Sequence, residues 1–356
     1  MKQEGTDNTI LICGNEAIGE AAIQAGCQAY FGYPITPQNE LTAYMAARMR
    51  EEGRVFIQSE SELAAISMVH GASAMGIRAM TSSSSPGISL KQEGISYLAG
   101  SELPAVIVNM SRGGPGLGNI GPAQSDYFQA TRGGGHGDYR TPVLAGASVQ
   151  ELADVTFLAF DLADIYRTPV LILGDGILGQ MMEPVRIIHP DPVELPPKDW
   201  VLDGAQGREP RVVKSLFLGP GELDAHNRKL QERYRKLEET EVRYEEFMTQ
   251  DAELILVSYG ISARLCREVV RILRRDGLRV GMLRPITLWP FPSAKIAELC
   301  RSAKAFLSVE MNYGQMVDDV RLAVNGRRPV EFFGHGGGEI LTVEEIEENT
   351  RKTISA

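Results

Sequence analysis

Short apolar runs alternate with longer stretches in which apolar residues recur at helical spacing, and this pattern repeats along most of the chain. Apolar runs of strand length that are followed by amphipathic helices are typical of an α/β protein with a parallel sheet. In the first half of the chain the pattern predicts strands at residues 9–13, 29–33, 55–58, 80–82, 105–110 and 169–173, and helices at 16–24, after 37, from 62, from 89, at 124–131 and at 149–166. We therefore expect an α/β fold with a doubly wound parallel sheet.

The same alternation returns towards the C-terminus. It predicts strands at residues 254–258, 280–283 and 306–309 and helices at 262–275, 294–302 and 316–324. Ser262 suits the N-cap position of the first of these helices, because a serine hydroxyl accepts hydrogen bonds from the backbone N–H groups of a first turn. We expect a second, smaller open α/β domain here.

The segment between the two alternating regions differs in composition. Seven prolines lie within residues 184–221, which predicts an irregular connection. A highly charged helix is predicted over residues 222–248, and its narrow apolar seam suits packing across a neighbouring domain or subunit. The seam consists of Leu223, Leu230, Tyr234, Leu237 and Tyr244. The predicted division is a first domain at 1–183, a connection with the charged helix at 184–250, and a second domain at 251–356.

Composition excludes several classes of protein. Of the 356 residues, 43% are hydrophobic and 23% are charged, as in a globular protein with a substantial core. The net charge of −10 argues against nucleic acid and anionic membranes as partners. No apolar run is long enough for a membrane span, and the polar N-terminus indicates no signal peptide, so we expect a cytoplasmic protein.

The cysteines are also typical of a cytoplasmic protein. Cys13, Cys27, Cys266 and Cys300 are scattered, and each lies in an apolar element. No pair has the spacing of a zinc or iron–sulfur motif. We expect reduced core cysteines, and no metal site held by this chain alone.

Residues 31–62 carry the most distinctive chemistry. An apolar strand is followed by Pro34 and Pro37, which bracket Thr36 and are expected to hold it extended at the tip of a turn. Pro37 also suits the first turn of the helix that follows. A second strand leads to Glu62 at the start of an apolar helix. Because open α/β sheets bind ligands outside the carboxyl ends of their strands, a carboxylate buried there should be paired or chemically employed.

Other motifs carry weaker signals. Gly174-Asp175-Gly176 resembles the start of a thiamine diphosphate motif whose aspartate holds magnesium, but the downstream Asn-Asn pair is missing, and we interpret it as a turn at a strand end. The glycines of 113–118 have no helix start at the spacing of a nucleotide fingerprint. The chain has neither a P-loop lysine motif nor a GxSxG elbow. A Ser-His-Asp triad stays open, since such triads assemble in three dimensions.

Several motifs form a specific combination. They are Tyr33-Pro34-Ile35-Thr36-Pro37, Ser61-Glu62 upstream of His70-Gly71-Ala72, the serine-rich segment 83–89, and Ser111-Arg112 after an apolar strand. Together they resemble the α subunit of the 2-oxoacid:ferredoxin oxidoreductases. The segment QSDYFQATRGGGHGDYR at 124–140 is most similar to the branched-chain members, the 2-oxoisovalerate:ferredoxin oxidoreductases. The resemblance covers nearly the whole chain and implies a first domain of the pyrimidine-binding type and a second of the transketolase C-terminal type.

The resemblance implies roles for three residues. The chain would supply the pyrimidine-binding half of a thiamine diphosphate site, with Glu62 as the catalytic and cofactor-binding residue that hydrogen-bonds the aminopyrimidine ring nitrogen. A partly buried carboxylate suits this task, because desolvation raises its proton affinity. Thr36 would bond the oxo acid end of the substrate. Arg112 would hold the substrate carboxylate through two parallel hydrogen bonds, for which a guanidinium fits better than an ammonium.

Each of these residues also has a structural explanation. Glu62 lies in the first turn of a helix, where a negative charge is favourable. Thr36 is a turn residue between two prolines. Arg112 is able to pair with Asp126 or Asp138 across the glycine-rich loops.

Two histidines and a serine run have no assigned role. His136 stands among glycines and invites an acid–base role, but we interpret it as structural or interfacial. His70 lies in the apolar helix after Glu62 and is expected to be a core histidine. Ser83–Ser85 suit either the substrate pocket or a turn before a helix.

The resemblance also implies partners. Magnesium and 4Fe-4S clusters are expected on partner subunits, and coenzyme A is expected as co-substrate. The expected partners are a β subunit with the diphosphate site, a γ subunit, a ferredoxin-like δ subunit, and ferredoxin as electron acceptor. The chain alone should be inactive and should bind thiamine diphosphate negligibly.

The expected reaction is the oxidative decarboxylation of 2-oxoisovalerate to an acyl-CoA with reduction of ferredoxin. 2-Oxoglutarate and pyruvate stay open as substrates within the same family. A non-catalytic flavodoxin-like binding module is an alternative of another class, and it predicts that Glu62→Gln leaves the activity of the complex intact. A self-sufficient hydrolase is a third, and it predicts labelling of a serine by a phosphonate probe.

Overall fold

The computed structural model describes residues 9–188 and 193–355. The polar N-terminal segment and the prolines at 190 and 192, which entered the sequence predictions, lie outside the described residues. In the part of the chain that is described, the strands form three sheets, with seven, five and two strands.

The elements alternate along the chain much as the apolar pattern predicts. In chain order the strands are β1 (Ile10–Cys13), β2 (Ala29–Gly32), β3 (Val55–Gln58), β4 (Ala79–Ser83), β5 (Ala105–Ser111), β6 (Val143–Leu144), β7 (Pro169–Asp175), β8 (Met182–Val185), β9 (Tyr244–Phe247), β10 (Leu254–Val257), β11 (Val280–Pro285), β12 (Thr287–Trp289), β13 (Ala305–Glu310) and β14 (Val330–Gly334). The helices are α1 (Gly14–Gln24), α2 (Asn39–Glu51), α3 (Glu62–Ala74), α4 (Ser85–Gly100), α5 (Tyr127–Arg132), α6 (Val149–Tyr166), α7 (Gly176–Gln180), α8 (Glu222–Thr240), α9 (Gly260–Arg275), α10 (Ser293–Leu299), α11 (Met316–Val324) and α12 (Val343–Ser355).

The seven-stranded sheet has the order β12-β6-β7-β5-β4-β2-β3, and only β12 pairs antiparallel. Every residue of β5 and β7 is buried, as expected for strands that helices cover on both faces. The helices pack in two groups, α1 with α2 and α6, and α3 with α4. This is the predicted doubly wound arrangement. The strand predicted at 9–13 lies outside this sheet, because β1 pairs with β8 in a separate antiparallel ribbon.

The five-stranded sheet has the order β14-β13-β10-β11-β9. Its strands are parallel except for β9, which pairs antiparallel with β11. The prediction of one helix over 222–248 is therefore wrong at its C-terminal end: α8 stops at Thr240, and 244–247 form a strand. The backbone groups of β9 pair with β11 instead of continuing the helix.

Three further boundaries differ from the predictions. Helix α4 begins at Ser85 and not at 89, because Pro86 fits the first helical turn. Helix α2 begins at Asn39, so Pro37 precedes the helix. Ser262 is not an N-cap: α9 begins at Gly260, and the Ser262 hydroxyl instead donates to Gln124 Oε1 at 2.8 Å.

Helix α8 packs against the first domain with the central residues of its predicted apolar seam. Leu230, Tyr234 and Leu237 are buried, whereas Leu223 and Tyr244 are largely exposed. The described residues between β8 and α8 contain neither helix nor strand, as the prolines predict. The division at 183 and 250 stays a prediction; strand β12, from the C-terminal part of the chain, pairs with β6 in the first sheet.

Within residues 9–188 and 193–355, no helix is both long and apolar enough to cross a membrane. The four cysteines are buried and free.

Candidate functional site

Glu62 lies in the first turn of α3, directly after the loop that follows β3. Ser61 is the N-cap, and its hydroxyl accepts a hydrogen bond from the Ala64 N–H at 3.2 Å. The Glu62 side chain is therefore not needed for capping. Glu62 is only 6% exposed. No donor from the described residues lies within hydrogen-bonding distance of its carboxylate, although an ionised group in such surroundings normally has one.

The N-terminal turn of α4 packs against this carboxylate. Gly87 contacts it so closely that a Cβ at this position would lie 2.6 Å from Glu62 Oε1 and 2.0 Å from Ser83 Oγ. Only glycine fits there. The hydroxyls of Ser83 and Ser84 are buried and have no hydrogen-bond partner among the described residues. The serine turn thus places buried hydroxyls, without hydrogen-bond partners among the described residues, on the side of α4 that packs against Glu62.

A buried hydrogen-bond cluster fixes the next serine. The Ser85 hydroxyl donates to Asp126 Oδ2 at 2.6 Å, and Asn109 Nδ2 donates to the same oxygen at 2.8 Å. Asn109 Oδ1 also accepts a bond from the Ser85 N–H at 3.1 Å. Burial raises the pKa of Asp126, and the bonds from Ser85 and Asn109 oppose that rise. The sequence did not reveal this cluster, because its members are distant along the chain and carry no motif.

Arg112 directly follows β5 and is hydrogen-bonded to Ser85. Its N–H donates to Ser85 Oγ at 3.0 Å. The guanidinium donates to the backbone carbonyls of Thr36 at 2.9 Å and Leu117 at 3.2 Å, and its buried Nε has no partner among the described residues. Within that part of the chain it forms no ion pair with Asp126 or Asp138, so this alternative is wrong. Three of its five N–H groups remain able to bind an anion.

Thr36 occupies a turn that several side chains hold in place. Asn39 Nδ2 donates to Thr36 Oγ1 at 3.1 Å, and Asn15 Nδ2 donates to the Pro37 carbonyl at 2.8 Å. The peptide bond between Thr36 and Pro37 is cis. Because its oxygen already accepts a bond, the half-buried Thr36 hydroxyl is able to donate its proton to a ligand.

The structure therefore brings the three predicted residues to one region. Thr36 is bound to Arg112, Arg112 is bound to Ser85, and the serine turn packs against Glu62 through Gly87. Their individual roles stay predictions. Ser83 ends β4, Ser84 is the N-cap of α4 and Ser85 begins that helix, as the prediction of a turn before a helix describes; a role in the substrate pocket stays a prediction.

The histidines lie apart from this region. His136 is exposed, and its backbone carbonyl accepts a bond from Ser96 at 2.8 Å. His70 is half-buried, its Nε2 lies 3.4 Å from the Ser101 hydroxyl, and burial lowers its pKa.

The Gly-Asp-Gly segment is a strand-end turn, as interpreted. Asp175 caps α7 by accepting bonds from the N–H groups of Ile177 at 3.0 Å and Leu178 at 3.1 Å. Its other oxygen accepts a longer bond from the Ile261 N–H in the second domain. Burial raises the pKa of Asp175 to about 6. This carboxylate is thus fully engaged by backbone groups.

Two family models match the chain in succession. The model described as "Pyruvate flavodoxin/ferredoxin oxidoreductase, thiamine diP-bdg" matches residues 20–249, and "Pyruvate:ferredoxin oxidoreductase core domain II" matches residues 252–346. The chain belongs to the pyruvate flavodoxin/ferredoxin oxidoreductase family. The predicted resemblance to the 2-oxoacid:ferredoxin oxidoreductases is confirmed.

Relatives within this oxidoreductase family match nearly end to end. Ketoisovalerate oxidoreductase subunit VorB of Methanothermobacter thermautotrophicus is 51% identical over 97% of this chain and 97% of its own length. The 2-oxoglutarate synthase subunit KorA of the same organism is 38% identical over 94% of this chain and 96% of its own length.

Solved structures confirm the fold. A 2-oxoglutarate:ferredoxin oxidoreductase from Magnetococcus marinus, with 2-oxoglutarate, coenzyme A and succinyl-CoA bound, matches 98% of this chain with a TM-score of 0.89 and 27% identity. This chain spans 65% of the length of that one. A split-gene transketolase, described as an inactive beta4 tetramer, is 15% identical with a TM-score of 0.61 over 97% of this chain and 98% of its own, and shows the fold alone. The predicted α/β architecture of two domains is therefore confirmed.

The residues present fit one half of a thiamine diphosphate site. A buried carboxylate without a donor and unpartnered serine hydroxyls suit the polar edge of an aminopyrimidine ring. The magnesium–diphosphate half does not fit this chain, because Asp175 is engaged by backbone N–H groups. In the described ranges, no cluster of three His, Cys, Asp or Glu side chains could hold a metal ion.

Proposed function

We propose that this chain is the subunit of a ketoisovalerate oxidoreductase that supplies the aminopyrimidine side of a thiamine diphosphate site. The observation that carries the proposal is the 51% identity with a VorB subunit along nearly the full length of both chains, against 38% for KorA. The proposed reaction is the oxidative decarboxylation of 2-oxoisovalerate to an acyl-CoA, with transfer of two electrons to ferredoxin.

Glu62 performs the chain's proton chemistry in this proposal. Thiamine diphosphate, when bound, supplies the nucleophilic carbon and the electron sink of the decarboxylation. Glu62 hydrogen-bonds the aminopyrimidine ring nitrogen: as the acid it donates to that nitrogen, and as the carboxylate it accepts from the ring N–H once the proton has moved there. The absence of a donor among the described residues supports this role, because the carboxylate needs a partner to offset the cost of its burial.

Arg112 and Thr36 orient the substrate. The buried Nε and the remaining N–H groups of Arg112 bind the substrate carboxylate, and the Thr36 hydroxyl donates to the oxo acid end. Because Arg112 also bonds the Thr36 carbonyl, the two substrate-binding groups are held at a fixed separation. Fixed positions of this kind lower the entropy lost in reaching the transition state.

Partner subunits complete the assembly. We propose that a β subunit holds magnesium and the diphosphate, that 4Fe-4S clusters lie on partner subunits, and that γ and ferredoxin-like δ subunits complete the complex. Coenzyme A serves as acyl acceptor and ferredoxin as electron acceptor. The engagement of Asp175 and the burial of all four cysteines as free thiols support this distribution. Buried free thiols also support the cytoplasm as location.

The substrate assignment is tested on the complex purified with its natural subunits. Ferredoxin reduction is measured with coenzyme A and with 2-oxoisovalerate, 2-oxoglutarate or pyruvate in turn. We expect kcat/KM to be at least about tenfold higher for 2-oxoisovalerate, because a site built for an apolar branched end leaves a second carboxylate unpaired. The higher value for 2-oxoglutarate or pyruvate would transfer the assignment to that substrate.

The role of Glu62 is tested by Glu62→Gln in the same complex. The amide cannot hold the proton, so we expect kcat to fall about 10²–10⁴-fold while the subunits still assemble. Glu60→Gln is the matched control, since Glu60 is exposed two residues away and should leave kcat unchanged. Intact activity in Glu62→Gln would instead support a non-catalytic binding module.

A further inference from the structure

A lysine is completely buried beside the proposed site. Lys91 lies in α4, one helical turn after Gly87, and is 0% exposed. Its Nζ donates to Thr81 Oγ1 at 2.8 Å and to the Ser82 carbonyl at 2.9 Å. Both acceptors lie at the C-terminal end of β4, next to the serine turn. Fully buried lysines are rare unless they are paired with an acid.

The partners of Lys91 are all neutral. Within the described residues no carboxylate lies within 4.0 Å of Nζ, and two hydrogen bonds leave one N–H of an ammonium group without an acceptor. Burial lowers the pKa of Lys91 to about 7, and the negative charge of Glu62 acts in the opposite direction. Glu62 therefore favours the charged form of Lys91, which burial disfavours.

The geometry places Glu62 close to Lys91 without direct contact. Glu62 Oε1 and Ser83 Oγ both pack against Gly87, at the position that a Cβ would occupy in any other residue. Residues four positions apart share one face of a helix, so Lys91 continues the face of α4 on which Gly87 meets Glu62. The lysine is thus buried one turn further along the same face of α4.

Other titratable groups near α4 already have partners of their own. They are His70 on α3 with Ser101, Asp175 on β7 with backbone N–H groups, Asp126 after β5 with Ser85 and Asn109, Tyr30 on β2 with Ser82, Glu93 and Tyr97 on α4 with each other, and His226 on α8 with the Gly100 carbonyl. Glu62 alone among the charged groups facing Lys91 lacks a donor in the described part of the chain.

We propose that Lys91 is a positioning residue that acts through Glu62: its ammonium form is the buried counter-charge of the carboxylate that faces the aminopyrimidine ring. This inference rests on the proposed function, because it assigns Lys91 a part in the proton chemistry of Glu62. Neither residue needs to move.

The pH dependence follows from the sign of the charge. Lys91 carries its charge below about pH 7, so only in that range is it able to act on Glu62 as a cation. Above that range Lys91 is neutral and contributes little. Removing the lysine should therefore impair the enzyme at acid pH and have little effect at alkaline pH, whereas a purely structural defect would lower activity equally at both.

The coupling is first tested on the full chain without cofactor. Carbon-13 NMR of chain labelled at the lysine ε-carbons follows the titration of Lys91, whose signal is assigned by its loss in Lys91→Gln. We expect a midpoint near 7, and a fall of about one pH unit in Glu62→Gln, where the attraction is removed. Glu60→Gln should leave the midpoint unchanged. An ordinary lysine midpoint, or one that Glu62→Gln does not move, overturns the inference.

The consequence is tested on the assembled complex by pH profiles of kcat/KM. Lys91→Met removes the charge and Lys91→Gln keeps hydrogen-bonding capacity, and we expect both to lose about tenfold at pH 6 relative to pH 8. Parallel profiles for variant and wild type overturn the inference while leaving the proposed function intact. A wild-type complex inactive with every 2-oxoacid overturns the proposed function, whereas the NMR titration still decides the coupling. Should both lysine variants fail to fold, the lysine signal that titrates near 7 in the wild-type chain is followed in Glu62→Gln, and its shift decides the coupling.

Discussion

At the residue scale, two buried carboxylates of the first domain differ in whether the described residues supply them with hydrogen-bond donors. Glu102 receives hydrogen bonds from Lys229 and Arg233, so its charge is paired. Glu62 is equally buried but has no donor among the described residues. Burial alone therefore does not mark a functional acid. The distinguishing feature is a buried charge whose partner the described residues do not supply.

Gly87 provides a test of the packing around Glu62. In Gly87→Ala the added methyl would collide with Ser83 Oγ and Glu62 Oε1, so we expect the carboxylate to be displaced and kcat of the complex to fall about 10²-fold. Gly71→Ala is the control: Gly71 lies in α3 with open space around its Cα, and alanine should raise helix stability by about 0.5–1 kcal/mol. Wild-type kcat in a folded Gly87→Ala complex would show that the close contact is dispensable.

The sequence pointed to Glu62, Thr36 and Arg112 through motifs that belong to a known family. It pointed to Lys91 not at all, because a single lysine in a helix is usually solvated and only the fold shows that β4 covers it. Asp126 was considered only as a partner of Arg112. Its actual bonds, to Ser85 and Asn109, join segments that no local pattern relates.

At the scale of elements, the strongest patterns gave the right bounds. Helices α6 and α11 and strand β3 begin and end at the predicted residues. The errors arose where another constraint overrides periodicity. Helix α4 begins within a polar Ser-Ser-Pro-Gly run, and α8 stops early because β9 pairs with β11, a contact distant in sequence.

The ion cluster between α8 and Glu102 predicts an acid-sensitive contact. Burial alone would raise the pKa of Glu102, but the bonds from Lys229 and Arg233 outweigh it and lower the pKa to about 2. A depressed pKa stabilises the fold fully above the unfolded value of 4.5, and this contribution is lost as pH falls from 4.5 towards 2.

We therefore expect Glu102→Gln to reduce the free energy of unfolding at pH 7 by on the order of 2 kcal/mol, a value discounted for the exposure of Lys229. The deficit should become small close to pH 2, where the wild-type Glu102 carboxylate is about half protonated. Urea unfolding of the full chain at several pH values measures it, with Glu238→Gln on the exposed face of α8 as control. A deficit independent of pH would assign the effect to packing and not to charge.

At the scale of the whole molecule, Gln124 joins the two large sheets. It is buried in the loop before α5, and its backbone N–H donates to the Met311 carbonyl at 2.9 Å. Its side chain donates to the Tyr259 carbonyl at 2.8 Å and accepts bonds from Ser262 Oγ at 2.8 Å and the Met311 N–H at 3.0 Å. The loop that carries Asp126 is thereby anchored to the second domain, so the second domain positions part of the candidate site.

Gln124→Leu tests whether this joint makes the molecule unfold as one unit. Leucine has a similar volume but leaves the Tyr259 carbonyl, Ser262 hydroxyl and Met311 N–H without partners, at about 1–3 kcal/mol for each buried group. We expect a loss of about 3–5 kcal/mol and a calorimetric transition that separates into two, since the sheets lose three of the buried hydrogen bonds that join them. Gln24→Leu on the exposed surface of α1 should leave one transition at its original temperature. A single transition shifted by less than about 1 kcal/mol in Gln124→Leu would mean that apolar packing, and not this hydrogen-bonded joint, holds the two sheets together.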